Sequence, residues 1–368
     1  MRAEREIAGF VLPFAVGIMA ATLPIWPSFH DISWSFILLP ATTLAPLILL
    51  IHPCHIRMSG KLTSCMILIS ALSCGMMTGL TSAMMHISNS TDSRLITDMA
   101  QQMCRSVQGT INGLPFRKPE TSAVLNALLT GDRNGIPHHL TESVRESGAS
   151  HILALSGLHL GIIYGIVNKA LSILSNNLTA KRIRSAATLI ICYIYTIATG
   201  AGASITRALI FIIASETAAL TGRHRSIENT LYTALLIQLS LFPSDISSIS
   251  FQLSYAAIAG ITYIYPLLKN LWPEPGKRGI LGFIWNSAAM SISCQITTGP
   301  LAWVYFRSFP VYFLLTNMIA VPLTALIIPF SLVTIILTAA GICPEIMTRA
   351  TECLVQTLTA ALDIISSM

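Results

Sequence analysis

The chain has 368 residues, of which 53% are hydrophobic and 10% charged, with a formal net charge of +6. Mean hydropathy is +0.68. Soluble domains carry charge on about a quarter of their residues, so this composition excludes an ordinary soluble domain. In a membrane protein, moreover, a basic surplus reports orientation more than an anionic substrate.

Apolar runs fall at residues 7–26, 35–51, 62–86, 151–175, 185–200, 204–221, 229–242, 250–268, 280–306, 311–340 and 346–366. Several reach the ~20 residues a helix needs to cross a bilayer. The expected fold is an all-α integral membrane protein. It is a polytopic helical bundle of about 10–11 spans with a short extracytoplasmic segment. The first run follows Arg2 and Arg5 like a signal peptide, but it is long and more spans follow, so a retained span is expected. One set of connections carries Arg2 and Arg5, Arg57 and Lys61, then Lys181, Arg182 and Arg184. It continues with Arg223 and Arg225, then Lys269, Lys277 and Arg278. The alternate short loops lack basic residues apart from Arg307. The positive-inside rule therefore puts the N-terminus of this multi-pass chain in the cytoplasm.

Residues 1–87 form the N-terminal spans, and 88–150 form an extracytoplasmic linker. In the linker, Pro119-Glu120-Thr121 opens a helical pattern that Gly131 ends, and Pro137 opens a second, closed by Gly148. Two short amphipathic helices lying at the outer surface are expected, joined by the polar turn Gly131-Asp132-Arg133-Asn134-Gly135.

The run that starts at His151 holds Ser156, His159 and three glycines. Gly157, Gly161 and Gly165 recur every fourth residue and so share one helix face, where another backbone is expected to pack closely. A histidine in hydrocarbon needs a partner or a wet neighbour. Ser156 and His159 share a face as well. That pairing raises intramembrane hydrolysis, with the histidine as base. No third group stands nearby, however, and G-x-S-x-G is absent.

Further along, Arg207 and Glu216 lie in one apolar run. Arg207 either snorkels to the outer interface or faces a lumen, and Glu216 is placed to pair with Arg223 or Arg225. Gln252, Asn286, Gln295 and Asn317 are scattered over other spans. Each alone reads as interhelical glue; together with Ser156, His159 and Arg207 they read as a polar lining. Pro322 and Pro329 interrupt the 311–340 run with a kink or a break. The last segment sets Ile346, Ala350, Leu354, Leu358 and Leu362 against Arg349, Glu352 and Gln356.

No phosphate-cradling G-x-x-x-x-G-K-[ST] loop occurs, nor an H-x-H-x-D-H metal string. His52 and His55 lack further ligands. The eight cysteines form no C-x-x-C pair and mostly sit in apolar runs. Neither metal nor cofactor is expected, and passage or support fits better than catalysis.

Several strings together resemble the ComEC family of competence proteins. They are Leu129-Thr130-Gly131-Asp132-Arg133, His151 to Gly161, Thr199-Gly200, Thr206-Arg207-Ala208, Ser250 to Tyr255, and Asn317 to Leu323. The resemblance covers about residues 119–340 and makes 151–345 a competence-type membrane channel domain, with 346–368 as a C-terminal amphipathic or membrane helix. It implies an inner-membrane channel passing single-stranded DNA into the cytoplasm during natural transformation. A non-pore scaffold of a transport complex and a transporter of another solute are the alternatives. Asp132, Arg133, Arg145, Ser156, His159, Arg207, Gln252, Gln295 and Asn317 are then candidates for the DNA path, and Gly157, Gly161, Gly165 and Pro322 for helix packing. Many family members carry an OB-fold domain before the central motif; roughly thirty residues, 88–117, stand in that place here, short for a five-stranded barrel. Many also end in a metallo-β-lactamase-like domain, which is not expected in this short form. A separate DNA-binding protein, nuclease and cytoplasmic ATP-driven motor are therefore implied as partners, besides the strand and the bilayer.

Overall fold

A computed structural model describes residues 2–22, 60–85, 94–153, 155–173, 177–222, 226–271, 279–307, 312–342 and 345–368. The expected 35–51 span, the His52–His55 pair, Arg223 and Arg225 lie outside the described residues. Every regular element among the described residues is helical. The first helices are α1 (Arg2–Thr22), α2 (Gly60–Met85), α3 (Arg94–Asn112), α4 (Pro119–Thr130) and α5 (His138–Glu146). Then come α6 (Ser150–Leu153), α7 (Gly157–Leu171), α8 (Leu178–Ala198), α9 (Ala203–Leu220) and α10 (Ile227–Leu241). A 3₁₀ turn (Pro243–Ser247) leads to α11 (Ile249–Ala259), which runs through a π-helical turn (Gly260–Ile264) into α12 (Tyr265–Lys269). The chain ends with α13 (Ile280–Phe306), α14 (Phe313–Ala339) and α15 (Glu345–Ser366).

This is an all-α membrane protein. Among the described residues, α9, the α11–α12 rod (Ile249–Lys269) and α14 are long and apolar enough to cross a bilayer by themselves. Shorter apolar stretches occupy Ile7–Ala21 and Ile67–Gly79. The apolar run 151–175 is not one span. It breaks between Leu153 and Gly157, and the 15-residue α7 that follows is about 22 Å long, below the ~30 Å of a hydrocarbon core.

Two compact units divide the chain: Met1–Asp92 with Thr217–Gln252, and Ser93–Glu216 with Leu253–Met368. In the first, α1 and α2 pack along most of their length. Glycine makes that approach possible. A β-carbon on Gly17 would collide with Leu72 O, and one on Gly75 with Phe14 O. A β-carbon on Gly79 would come within 2.8 Å of Ala21 Cβ. Gly75 and Gly79 are one helical turn apart, so the backbones touch along a ridge without side chains.

The second unit is organised around α4. Thr121 and every residue from Ala123 to Thr130 are buried, so α4 is not the amphipathic surface helix its sequence suggests. Helices α3, α6, α14 and α15 all contact it. Its apolar residues join Ile111, Leu140, Val144, Ile152, Ile327 and Leu358 in the main core. By contrast α5 buries only Leu140 and Val144. The stretch expected to be too short for an OB barrel is largely helix α3, packed on α4, α8 and α14.

Helix α15 buries Leu358 and Leu362 of its apolar face, but its first half is turned so that Glu352 rather than Ile346 faces inward. Ile346 is 79% exposed, whereas Glu352 is 5% exposed. The reason is a hydrogen-bonding demand: Glu352 Oε1 accepts the backbone N–H groups of Arg117 at 3.0 Å and Lys118 at 2.9 Å. These lead into α4, so a carboxylate meets the positive end of a buried helix. Helix α14 stays continuous through Pro322 and Pro329; its Thr316 hydroxyl donates to Ser147 O at 2.7 Å. In the α11–α12 rod, Pro266 lacks an N–H and crowds the preceding turn, and the chain widens to π geometry just before it. There Gly260 lies directly against Ser293 O, and a β-carbon on it would meet Thr297 Oγ1 at 2.6 Å.

Glycine replacement discriminates the two repeats. Gly75→Ala should destabilise the protein by about 1–3 kcal/mol, the usual effect of overpacking. Gly161→Ala, with nothing within 4 Å, should be neutral or gain up to about 1 kcal/mol of helix propensity. Unfolding in detergent followed by circular dichroism measures both; equal effects would refute the assignment of close packing to α1–α2.

Candidate functional site

The two strongest sequence motifs meet in space. Helix α4 ends at Gly131, whose φ of 78° is left-handed and whose N–H caps Ala127 O. A side chain is disfavoured there on backbone grounds. It is also excluded by a neighbour, because a β-carbon on Gly131 would lie 2.5 Å from Leu155 Cδ1. Leu155 belongs to the link between α6 and α7, twenty-four residues on. The turn after α4 is therefore seated against the break in the 151–175 run.

Around that turn, Gln108 Nε2 donates to Asp132 Oδ2 at 3.1 Å and Thr130 Oγ1 at 3.3 Å. Asp132 Oδ1 accepts from Asn134 N at 2.9 Å. Tyr195, on α8, donates its hydroxyl to Leu129 O at 3.0 Å. Burial is the main reason the Cys104 thiol sits above its ordinary pKa, with a hydrogen bond from Thr130 opposing it and Asp132 adding to it. Cys104 is thus held as a neutral thiol. Asp132 has a structural role in this arrangement, while Arg133 and Arg145 are exposed.

At the break itself, Ser156 is extended (φ −124°, ψ 169°) and forms the N-cap of α7. His159, in the first turn, is fully buried. Its Nδ1 accepts from Ser156 N at 3.3 Å and lies 3.0 Å from Ser156 Oγ. This is a capping box with histidine in the place usually held by Glu or Gln. His159 Nε2 is buried without a hydrogen-bond partner among the described residues, as is Asn317 Oδ1. Asn317 lies beside His151, and His151 is within electrostatic range of His159. A β-carbon on Gly157 would lie 3.3 Å from Ala208 Cβ, which brings the Arg207–Ala208 stretch of α9 to the start of α7. Arg207 is 5% exposed.

Ser156 and His159 are thus in contact, the Arg207–Ala208 stretch meets α7 at Gly157, and Asn317 lies beside His151. Other candidates are not gathered with them. Gln252 belongs to the first unit, where its Nε2 donates to Ile246 O at 3.1 Å. Gln295 lines an apolar groove of about 740 Å³ with Ile292, Ile296, Pro300, Trp303 and Phe313. Asn286 is exposed. Of the glycine repeat, Gly157 alone has a close neighbour; Gly161 and Gly165 have nothing within 4 Å. Pro322 sits half-buried inside continuous α14.

Glu216 is 6% exposed. It accepts from Tyr164 Oη at 2.5 Å and Ser185 Oγ at 2.6 Å, which ties α7, α8 and α9 together. These hydroxyls, with Gln108, Tyr195 and Glu352, are contributors the sequence does not single out. Each lies far along the chain from the group it serves, and periodicity carries no information about such partners.

A family model described as Competence protein matches residues 128–368. ComE operon protein 3 of Bacillus subtilis (strain 168) is 23% identical over 213 residues, which are 58% of this chain and 25% of that protein. Uncharacterized protein YcaI of Escherichia coli (strain K12) is 23% identical over 245 residues, 65% of this chain and 32% of that protein. The chain thus spans between a quarter and a third of the length of these curated relatives. No solved structure matches it.

The junction between the motifs yields a double-mutant test. Gly131→Ala should cost more than about 1 kcal/mol from the left-handed backbone alone, with the clash on Leu155 added. In the Leu155→Ala background its cost should fall, giving a coupling of roughly 0.5–3 kcal/mol. Tyr195→Phe, which leaves Leu129 O without its donor, should cost about 1–3 kcal/mol. Strict additivity of the Gly131 and Leu155 changes would show that the two residues do not touch.

Proposed function

Since the chain belongs to the competence protein family, we propose that it serves DNA uptake as a membrane channel for single-stranded DNA, in the inner membrane with its N-terminus cytoplasmic. The observation that carries this reading is the interruption before α7. A membrane run that stops being helical, with His159 buried at the restart and the Arg207–Ala208 stretch against Gly157, is tolerated where it lines a path or is enclosed by protein. A strand carries about one negative charge per nucleotide and needs donors or cations along its way. Exposed Arg133 and Arg145, on the segment assigned to the outside, would meet the strand first.

The chain acts by passage rather than catalysis in this reading. Its Ser–His pair supports that view: Nδ1, the atom nearest the hydroxyl, is engaged by the Ser156 backbone as a helix cap. Strand degradation and driving force come from a separate nuclease and an ATP-driven motor, and strand delivery from a DNA-binding protein. A non-pore scaffold is the second reading. The enclosure of His159, which has no solvent exposure, favours it, because a channel must open there before DNA can pass.

Deletion of the gene should abolish entry of labelled DNA into the cytoplasm while leaving its capture outside the inner membrane intact. Cytoplasmic label at the wild-type level would end the channel reading. Ser156→Ala should retain uptake within about threefold, since it removes one hydrogen bond of modest net worth. Complete loss at normal abundance would instead reopen hydrolysis.

A further inference from the structure

We propose that the groove along α13 holds one acyl chain of an anionic phospholipid, whose phosphate is met by Arg307. The inference needs the chain in a membrane and goes beyond the channel reading; what the chain passes does not enter it. The groove has a volume of about 740 Å³ and runs along α13 from Ile292 to Trp303, with Phe313 of α14 beside it. Apart from Gln295 its side chains are apolar or aromatic. The hollow has a local cause, since Gly299 has no side chain and Pro300 a short ring. Length selects the occupant. From Ile292 to Trp303 a helix rises about 16 Å. Half of a ~30 Å hydrocarbon core is about 15 Å, so the groove is as long as one leaflet is deep. A helix about 10–12 Å across and equally long would fill about 1,300–1,800 Å³, roughly twice the space available. An extended hydrocarbon chain is slimmer and fits.

Charge places the headgroup. Arg307 directly follows α13, and its N–H donates to Trp303 O at 3.0 Å. It therefore stands one turn beyond the last residue of α13 that lines the groove. Arg307 is exposed, and its guanidinium makes no hydrogen bond or ion pair among the described residues. Two features single it out. It is a basic residue in a set of short loops that otherwise lack them, against the usual charge asymmetry. Its backbone is also left-handed (φ 52°, ψ 25°), a conformation that glycine adopts at lower cost. The backbone alone favours glycine at this position, so the arginine points to use of its side chain. Its long stem can follow apolar surface while the guanidinium stays at the interface. Trp303 and Tyr305, both exposed, carry the amphipathic rings that sit at headgroup level. A nucleic acid strand gains nothing from an apolar groove. An anion carried on an apolar chain gains from the groove and from the arginine together.

Because Trp303 lies in the groove, its fluorescence reports the occupant. The full chain is reconstituted in phosphatidylcholine, and brominated phosphatidylglycerol or brominated phosphatidylcholine with the same acyl chains is titrated in. Trp303 emission is the difference between the wild-type and W303F spectra. Half-quenching should need about fivefold less phosphatidylglycerol than phosphatidylcholine, the effect of one basic residue beside an anionic headgroup. Arg307→Gly, which suits the left-handed backbone, should keep the wild-type Tm and respond equally to both lipids. Arg307→Lys should keep the preference. Gly299→Leu, which fills the groove, should weaken quenching by both lipids; if that variant does not fold, the Arg307 pair decides. Equal quenching in the wild type, or a preference that survives in R307G, would overturn the proposal. So would wild-type quenching in folded G299L. Quenching by neither lipid, with emission that shifts as the protein-to-lipid ratio rises, would show a second copy covering the groove and would overturn it too. Every arm reads lipid binding, so failure here is separate from failure of the channel reading, which the uptake assay reports.

Discussion

Helix α4 is buried from Ala123 to Thr130, and groups from distant helices meet the backbone at each of its ends. A helix has unpaired N–H groups at its start and unpaired carbonyls at its finish, and out of contact with water each unmet group costs about 1–3 kcal/mol. At the start, Glu352 reaches from α15 to take two N–H groups. At the finish, Gly131 N–H turns back on Ala127 O and Tyr195 reaches from α8 to Leu129 O. These two long-range contacts fix the rotation of α15 and the placement of α8. They also explain why a carboxylate is buried where an apolar side chain would otherwise sit.

The same helix shows where sequence periodicity stops being informative. Its boundaries were legible, because Pro119 opens it and Gly131 closes it. Its environment was not. Ala, Val and Leu around Asn126 suit a helix buried on every side as well as one with a single wet face, and only tertiary contacts decide. Glycine repeats teach a similar lesson. Gly157, Gly161 and Gly165 share a face as spacing requires, yet two of the three have no neighbour within 4 Å among the described residues. Gly75 and Gly79 have the same four-residue spacing and meet the backbone of α1. Spacing establishes which residues are aligned; it does not establish what lies opposite.

The interrupted run at 151–175 was hidden for a different reason. Hydropathy averages over a window, and a break at Leu155 and Ser156 hardly lowers the mean. A local signal was nonetheless present. Ser156 followed three residues later by a side chain with an acceptor is the spacing of a capping box, and His159 fills that role through Nδ1. Read as a pair on one helix face, these residues suggest a nucleophile and base. Read as N-cap and N3, they mark a helix start, and the extended backbone of Ser156 decides for the second. Candidates whose role needed convergence fared unevenly. Ser156 and His159 come together, but Asn317 is placed beside His151, Gln295 faces an apolar groove and Gln252 donates to Ile246 O.

That uneven outcome bears on how such a bundle could handle a polyanion. A conduit lined by many buried arginines would hold each phosphate tightly, and conduction needs binding weak enough to release. A charged hydrogen bond is worth roughly twice a neutral one. Around α7 the buried carboxylate is instead paired within the protein, because Glu216 accepts from Tyr164 on α7 and Ser185 on α8. Glu352, Tyr195 and Gln108 are likewise committed to other protein groups. The buried carboxylates beside α7 and α4 are thus engaged in joining helices, and a polyanion would meet them already paired within the protein.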